Sequence, residues 1–215
     1  MSRISIIFLF ALLSTRPVSG QRLEIQTFGG ISTYWGDLSE KWMNPSTVHG
    51  AFALHGEIHP SDRWAFNAGL RKARISGDDA LSTDTSLQLR NLHFKSDIYE
   101  LQATARWYPV GYSPEDGRLH PYAFTGLSIF HFNPQANLEG EWYDLQPLGT
   151  EGQGTSEFPR RTPYMLTQFA IPMGAGLKFS IGSWVSVGVE CMVQVAFTDY
   201  LDDVSLSYVN PNILI

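Results

Sequence analysis

The chain has 215 residues, enough for one domain, and its 15 basic against 21 acidic residues give a net charge of −6, which argues against a nucleic-acid partner. A single cysteine, Cys191, excludes a disulfide framework. Apolar residues make up 43% of the chain but recur at a period of two instead of gathering into long runs, so any passage through a membrane is made by strands.

The first segment, residues 1–20, carries Arg3, an apolar run from Ile4 to Leu13 and a small-residue site at Val18-Ser19-Gly20. It reads as a cleaved secretory signal that leaves Gln21 at the new N-terminus, and its apolar run is far short of the roughly twenty residues of a spanning helix. Losing Arg3 and Arg16 with it takes the net charge from −6 to −8.

Seven candidate strands follow, at 22–32, 49–59, 64–75, 93–108, 121–132, 166–181 and 184–198. The second alternates Phe52, Leu54 and Ile58 with Ala51, Ala53, His55 and Glu57, and the third alternates Trp64, Phe66, Ala68 and Leu70 with Ala65, Asn67, Gly69 and Arg71. The sixth sets Phe169, Ile171, Met173, Ala175, Leu177 and Phe179 against Gln168, Ala170, Gly174, Gly176 and Lys178. In the seventh, Val185, Val187, Val189, Cys191, Val193, Val195 and Phe197 oppose Ser186, Gly188, Glu190, Met192, Gln194, Ala196 and Thr198. Oil on one side and polar groups on the other is the requirement of a strand in a membrane barrel. The first strand is interrupted by Gly29-Gly30, and the fifth, around Tyr122 to Phe130, is apolar on both faces. In the fourth, Phe94 and Ile98 are out of phase with Tyr99, Leu101, Ala103 and Trp107, which predicts a change of face at a bulge.

Connections alternate in length. Short turns lie at Pro60–Arg63, around Ser113–Gly117 and at Gly182-Ser183, whereas 33–48, 76–92 and 133–165 are long, polar and rich in Gly, Pro, Asp and Ser. With short turns toward the periplasm and long loops outside, Trp64, Trp107 and Trp184 all fall on the periplasmic rim, as an interfacial aromatic girdle does. The expected fold is all-β: a small antiparallel up-and-down transmembrane β-barrel of about eight strands, seven of them detectable. Such barrels usually have an even number of strands, and after Thr198 no further alternating strand is evident. The expected domains are the signal at 1–20 and an outer-membrane barrel at 21–215, incomplete at its C-terminus. A soluble ligand carrier would reverse the pattern, so the direction of Phe52, Leu54, Phe169, Ile171, Val187 and Val193 separates the two.

On the polar faces, Glu57, Arg71, Glu100, Arg106, Lys178 and Glu190 form a balanced set, expected to fill the lumen as hydrogen-bonded ion pairs. A selective pore is the competing reading. Asp199, Asp202 and Asp203, with Asp37, offer oxygen ligands for calcium, but no spacing reproduces a calcium loop, and turn formation is the preferred reading. The glycine-rich tract at Gly149–Gly154 lacks the strand-to-helix context of a phosphate cradle. His55 and His59 share a face about 13 Å apart, too far to ligate one metal. No nucleophile elbow or zinc helix is present, so no enzyme and no cofactor are expected.

Four strings carry a more specific signal: Phe28-Gly29-Gly30-Ile31-Ser32-Thr33-Tyr34-Trp35-Gly36-Asp37-Leu38, Asn133-Pro134-Gln135-Ala136, Leu145 to Gly154, and Thr198-Asp199-Tyr200-Leu201-Asp202-Asp203-Val204. Together they resemble the PorG-like outer-membrane β-barrel family. The resemblance implies a small barrel of bacteria with type IX secretion and gliding systems, whose founding member joins the periplasmic ring of that machine to the outer membrane. It implies a non-enzymatic scaffold or accessory of the secretion system, in contact with outer-membrane lipid and with periplasmic ring components. The alternative is an outer-membrane pore or surface-binding barrel of unrelated role. Trp35, Gly36, Asp37, Glu151, Gly152, Asp199, Tyr200, Asp202 and Asp203 are the candidate partner-contact positions. Family members continue past the Asp-Tyr-Leu-Asp-Asp string into a further loop and a closing strand.

Overall fold

The alternating runs form strands that each need a partner on both edges, and the computed structural model meets that need with a closed sheet. It describes residues 5–15, 23–39, 43–182, 184–205 and 208. The strands are β1 (Ser5–Thr15), β2 (Leu23–Trp35), β3 (His49–Ile58), β4 (Trp64–Asp78), β5 (His93–Trp107), β6 (Leu119–Leu138), β7 (Glu141–Asp144), β8 (Thr167–Ile181) and β9 (Val185–Ala196), with one short helix, α1 (Thr85–Arg90). Their spatial order is β5-β4-β3-β2-β1-β9-β8-β6, all antiparallel, and a further β5–β6 pairing closes the ring at eight strands. Among the described residues each of these eight strands is paired on both edges, which is what a sheet in a hydrocarbon solvent requires.

The seven expected strands are β2, β3, β4, β5, β6, β8 and β9, with ends shifted by a few residues. The eighth place is taken by β1, inside the segment read as a signal: Ser5–Thr15 pairs β2 on one edge and β9 on the other. The expected cleavage site, Val18-Ser19-Gly20, lies outside the described residues. β7 was hidden in the long connection after β6. It folds back on β6 through Glu139-Gly140, both at positive φ (54° and 96°), the geometry of a type I′ hairpin turn.

Side-chain direction excludes a soluble carrier. Phe52, Leu54 and Phe169 point outward with relative exposures of 66%, 54% and 60%. Val187 is exposed on the same side, and Ile171 and Val193 are half-buried there between neighbours. Trp64 and Trp107 are directly paired on adjacent strands at the short-turn end, and Trp184 stands at the start of β9 at that same end, all three exposed.

The interior has two tiers. Toward the short turns it is polar and ionic; toward the long loops it is an apolar core of Tyr34, Leu38, Ile75, Phe94, Ile98, Phe130, Phe132, Tyr164 and Leu201. This second tier corrects the bulge expected in the fourth strand. β4 and β5 keep one register from Trp64↔Trp107 to Asp78↔His93, and Phe94 and Ile98 point inward into the apolar tier. The inner face of β6 is aromatic for a local reason, since Tyr122 and Phe124 point inward and lie over the adjacent β8, opposite Gly176 and Gly174. There Gly174 makes room: a Cβ on it would lie 2.7 Å from Cζ of Phe124.

Candidate functional site

β2, β3, β4, β5, β8 and β9 each send one charged side chain or more into the polar tier. Arg106, fully buried, places Nη1 2.8 Å from Glu57 and Nη2 2.8 Å from Glu190, and it also donates to Gln26 Oε1 at 2.9 Å. Its guanidinium lies among the rings of Tyr122 (4.9 Å), Phe124 (5.6 Å) and Phe28 (5.7 Å), so apolar-looking inward aromatics on β6 and β2 serve as cation–π walls. Lys178 donates to Glu24 and, at 3.1 Å, to Glu57. Arg71 pairs with Glu100 at 2.8 Å and donates to Gln102. Tyr122 and Tyr112 donate to Glu190 (2.9 Å) and Glu24 (3.0 Å). The six lumen positions named from the sequence are all buried and fall into two ion-paired groups, Arg106 and Lys178 with Glu57 and Glu190, and Arg71 with Glu100.

Three further members were not foreseen. Glu24 makes a fourth carboxylate against the three fixed cations of this tier; His59 lies 3.0 Å from Glu57 and 3.6 Å from Glu24; and Tyr112 stacks on His59 at 4.8 Å. Glu24 was legible in principle, since it shares the phase of Gln26 and Phe28 on β2. The Gly29-Gly30 interruption concealed that phase. Among the described residues, Glu24, Glu57 and His59 are the group whose ligand atoms lie close enough for a metal, within 4.8 Å of one another. The Lys178 ammonium already stands between the two carboxylates, so the place of a cation is filled by the chain itself.

At the other end, the loop strings converge into a cap over the apolar tier. Tyr34, at the end of β2, donates to Asp202 at 2.6 Å. Thr150 and Tyr164 donate to the two oxygens of Asp203 at 2.6 and 2.5 Å, and the Ser205 N–H donates to Glu151 at 2.9 Å. Tyr200 stacks on Tyr164 (4.6 Å), which stacks in turn on Phe132 (6.2 Å). Ser205 Oγ donates to Asp199 at 3.3 Å, and Gly152, at φ 83°, sits against the Phe158 ring. Burial pushes the Asp202 carboxyl up to about 7, with the Tyr34 and Val204 donors pulling the other way. Burial also raises Asp203, and burial followed by the charge of Asp199 raises Asp37.

Glu151, Gly152, Tyr200, Asp202 and Asp203 are thus internal to the cap, with Asp199 and Asp37 at its margin. Gly36 closes a small turn with Ser39 just outside it, and Trp35 points away, half exposed. The aspartates do not converge as calcium ligands; Asp202 and Asp203 spend their oxygens on Tyr34, Val204, Thr150 and Tyr164.

A closed up-and-down barrel with an apolar exterior, an aromatic rim and a charged, filled interior is a transmembrane β-barrel of the outer-membrane kind. Within that class the chain belongs to the family described as a domain of unknown function, DUF6089, whose model matches residues 3–146. Among curated proteins none matches it. Two solved structures align along nearly its whole length. Ail, the attachment invasion locus protein of Yersinia pestis, solved in complex with the heparin analogue sucrose octasulfate, is 11% identical over 91% of this chain and 96% of its own, with a TM-score of 0.33. The outer membrane protein OprG from Pseudomonas aeruginosa is 8% identical over 90% of this chain and 93% of its own, with a TM-score of 0.39.

Proposed function

We propose that this chain is a non-enzymatic, PorG-like outer-membrane barrel that acts as a scaffold or accessory of a type IX secretion system. The observation that carries the non-conducting part of this reading is the lumen. Arg106 and Lys178, both fully buried, each pair with the buried Glu57 inside it, and such a plug suits a protein that presents surfaces better than one that passes solutes. The secretion role rests on the four resemblance strings. Three of them, around Tyr34–Asp37, Leu145–Gly154 and Thr198–Val204, supply groups to one cap.

Deletion of the gene tests the reading, with secreted cargo and gliding as readouts, together with affinity purification of the full chain from detergent-solubilised envelopes. Loss of cargo and recovery of periplasmic ring components are expected. Normal secretion and gliding, with no ring component recovered, sink the assignment. The competing reading is a surface-binding barrel, favoured by the β6–β7 hairpin, which carries Leu138, Trp142 and Tyr143 exposed beyond the barrel wall.

A further inference from the structure

The outward faces of β2, β3, β8 and β9 carry no Asp, Glu, Lys, Arg or His among the described residues. Those of β4, β5 and β6 do, and all of them lie toward the long-loop end. The register sets them in rows across the three strands. Leu70, Leu101 and Ile129 form the last apolar row. Next come Lys72, Tyr99 and His131, then Arg74, Asp97 and Asn133, then Ser76, Lys95 and Gln135. The first polar row therefore abuts the edge of the apolar band, at the depth where lipid headgroups meet the acyl chains.

Arg74 and Asp97 neutralise each other through two bonds, Nε to Oδ1 at 2.6 Å and Nη2 to Oδ2 at 3.0 Å. Lys72 and Lys95 have no carboxylate within ion-pair distance among the described residues. Each lies against an aromatic ring instead, Lys72 5.1 Å from the centroid of Tyr99 and Lys95 3.5 Å from that of Trp142. Two ammonium groups outside any direct ion pair thus stand on one wall, on either side of the Arg74–Asp97 pair. They sit on rings that fix them at the boundary, and they adjoin an apolar strip of Leu70, Leu101 and Ile129.

We infer that this wall of β4, β5 and β6 binds the phosphate-bearing headgroup of a lipid in the leaflet on the long-loop side, with Lys72 and Lys95 pairing phosphate oxygens and the leucine–isoleucine row receiving the acyl chains. A lipid is favoured over free phosphate because apolar strip and ammonium groups are continuous. The inference rests on the transmembrane reading. An ammonium near an anionic membrane surface contributes roughly fivefold in affinity, so removing both lysines costs about 25-fold.

The test uses the full chain, folded in detergent and checked by heat-modifiable gel mobility. Native mass spectrometry measures retention of a phosphorylated glycolipid, its enzymatically dephosphorylated form, and inorganic phosphate. Wild type retains the phosphorylated lipid, and the dephosphorylated form and inorganic phosphate bind at least tenfold more weakly. The double variant Lys72→Gln/Lys95→Gln loses about 25-fold, and Arg160→Gln, an exposed loop change away from the wall, leaves retention unchanged. Equal retention by the double variant, or equal retention of the dephosphorylated lipid, overturns the inference. So does inorganic phosphate that binds as tightly as the lipid. Failure of the folded chain to insert into phosphatidylcholine vesicles instead overturns the transmembrane reading beneath it.

Discussion

Replacing Arg106 with methionine is the sharpest probe of the ionic tier. Methionine keeps much of the volume among Phe28, Tyr122 and Phe124 but removes the charge that neutralises two buried carboxylates. Glu57 keeps Lys178 at 3.1 Å and His59 at 3.0 Å; Glu190 keeps only the Tyr122 hydroxyl, at 2.9 Å, among the contacts described. Breaking a buried ion pair from one side costs about 3–5 kcal/mol, because the abandoned charge stays out of water. Most of that loss is therefore assigned to Glu190, and a second change, Glu190→Gln, removes its cause. Arg106→Met/Glu190→Gln is expected to be more stable than Arg106→Met by about 2 kcal/mol, a coupling of the size found between groups in direct contact. Urea unfolding of the vesicle-inserted barrel, followed by the fluorescence of its rim tryptophans, measures both quantities. An Arg106→Met variant within about 1 kcal/mol of wild type, or a double variant less stable than the single, would refute the claim that charge neutralisation holds this tier together.

Asp202 makes the cap pH-dependent. Its folded carboxyl, raised to about 7, holds a proton that the unfolded chain, near 3.9, releases sooner; cap stability therefore falls as pH rises from about 4 through 7. Limited proteolysis of the 198–205 segment should accelerate across that range, and Asp202→Asn, which mimics the protonated form, should flatten the response. Gly174→Val drives branched methyls into the Phe124 ring and should cost about 1–3 kcal/mol in urea unfolding; no loss would mean that the ring does not occupy that space. In planar bilayers wild type should show no steady conductance, and discrete channel openings would contradict a filled lumen.

Most of the barrel was readable because the membrane imposes one rule on every strand, apolar out and polar in. β3, β8, β9 and the first half of β4, through Arg71, obey it, and their phases, rims and facing charges follow from the residue order. The reading weakened wherever the inside is itself apolar. Phe94 and Ile98 break the alternation without any backbone irregularity, because the loop-end tier is packed like a soluble core. The inner aromatics of β6 broke it again, since a guanidinium accepts ring faces as partners. Glu24 escaped through a glycine pair that blurred its strand's phase. The cap was visible as unusual strings, yet its bonds join residues as far apart as Tyr34 and Asp202, a proximity that no local pattern encodes.

β1 gives the barrel a history as well as a shape. Ser5–Thr15 supplies eleven paired positions to β2 and eleven to β9, and its residues are apolar in both phases from Ile6 through Leu13. Excision of residues 1–20 would strip both neighbours of those partners at once, and unsatisfied backbone groups in hydrocarbon cost several kcal/mol each. If residues 1–20 are removed, processing and closure of the wall become coupled, because the place between β2 and β9 then loses the strand that fills it. Precursor and processed chain should accordingly differ in heat-modifiable mobility unless a replacement strand has been delivered.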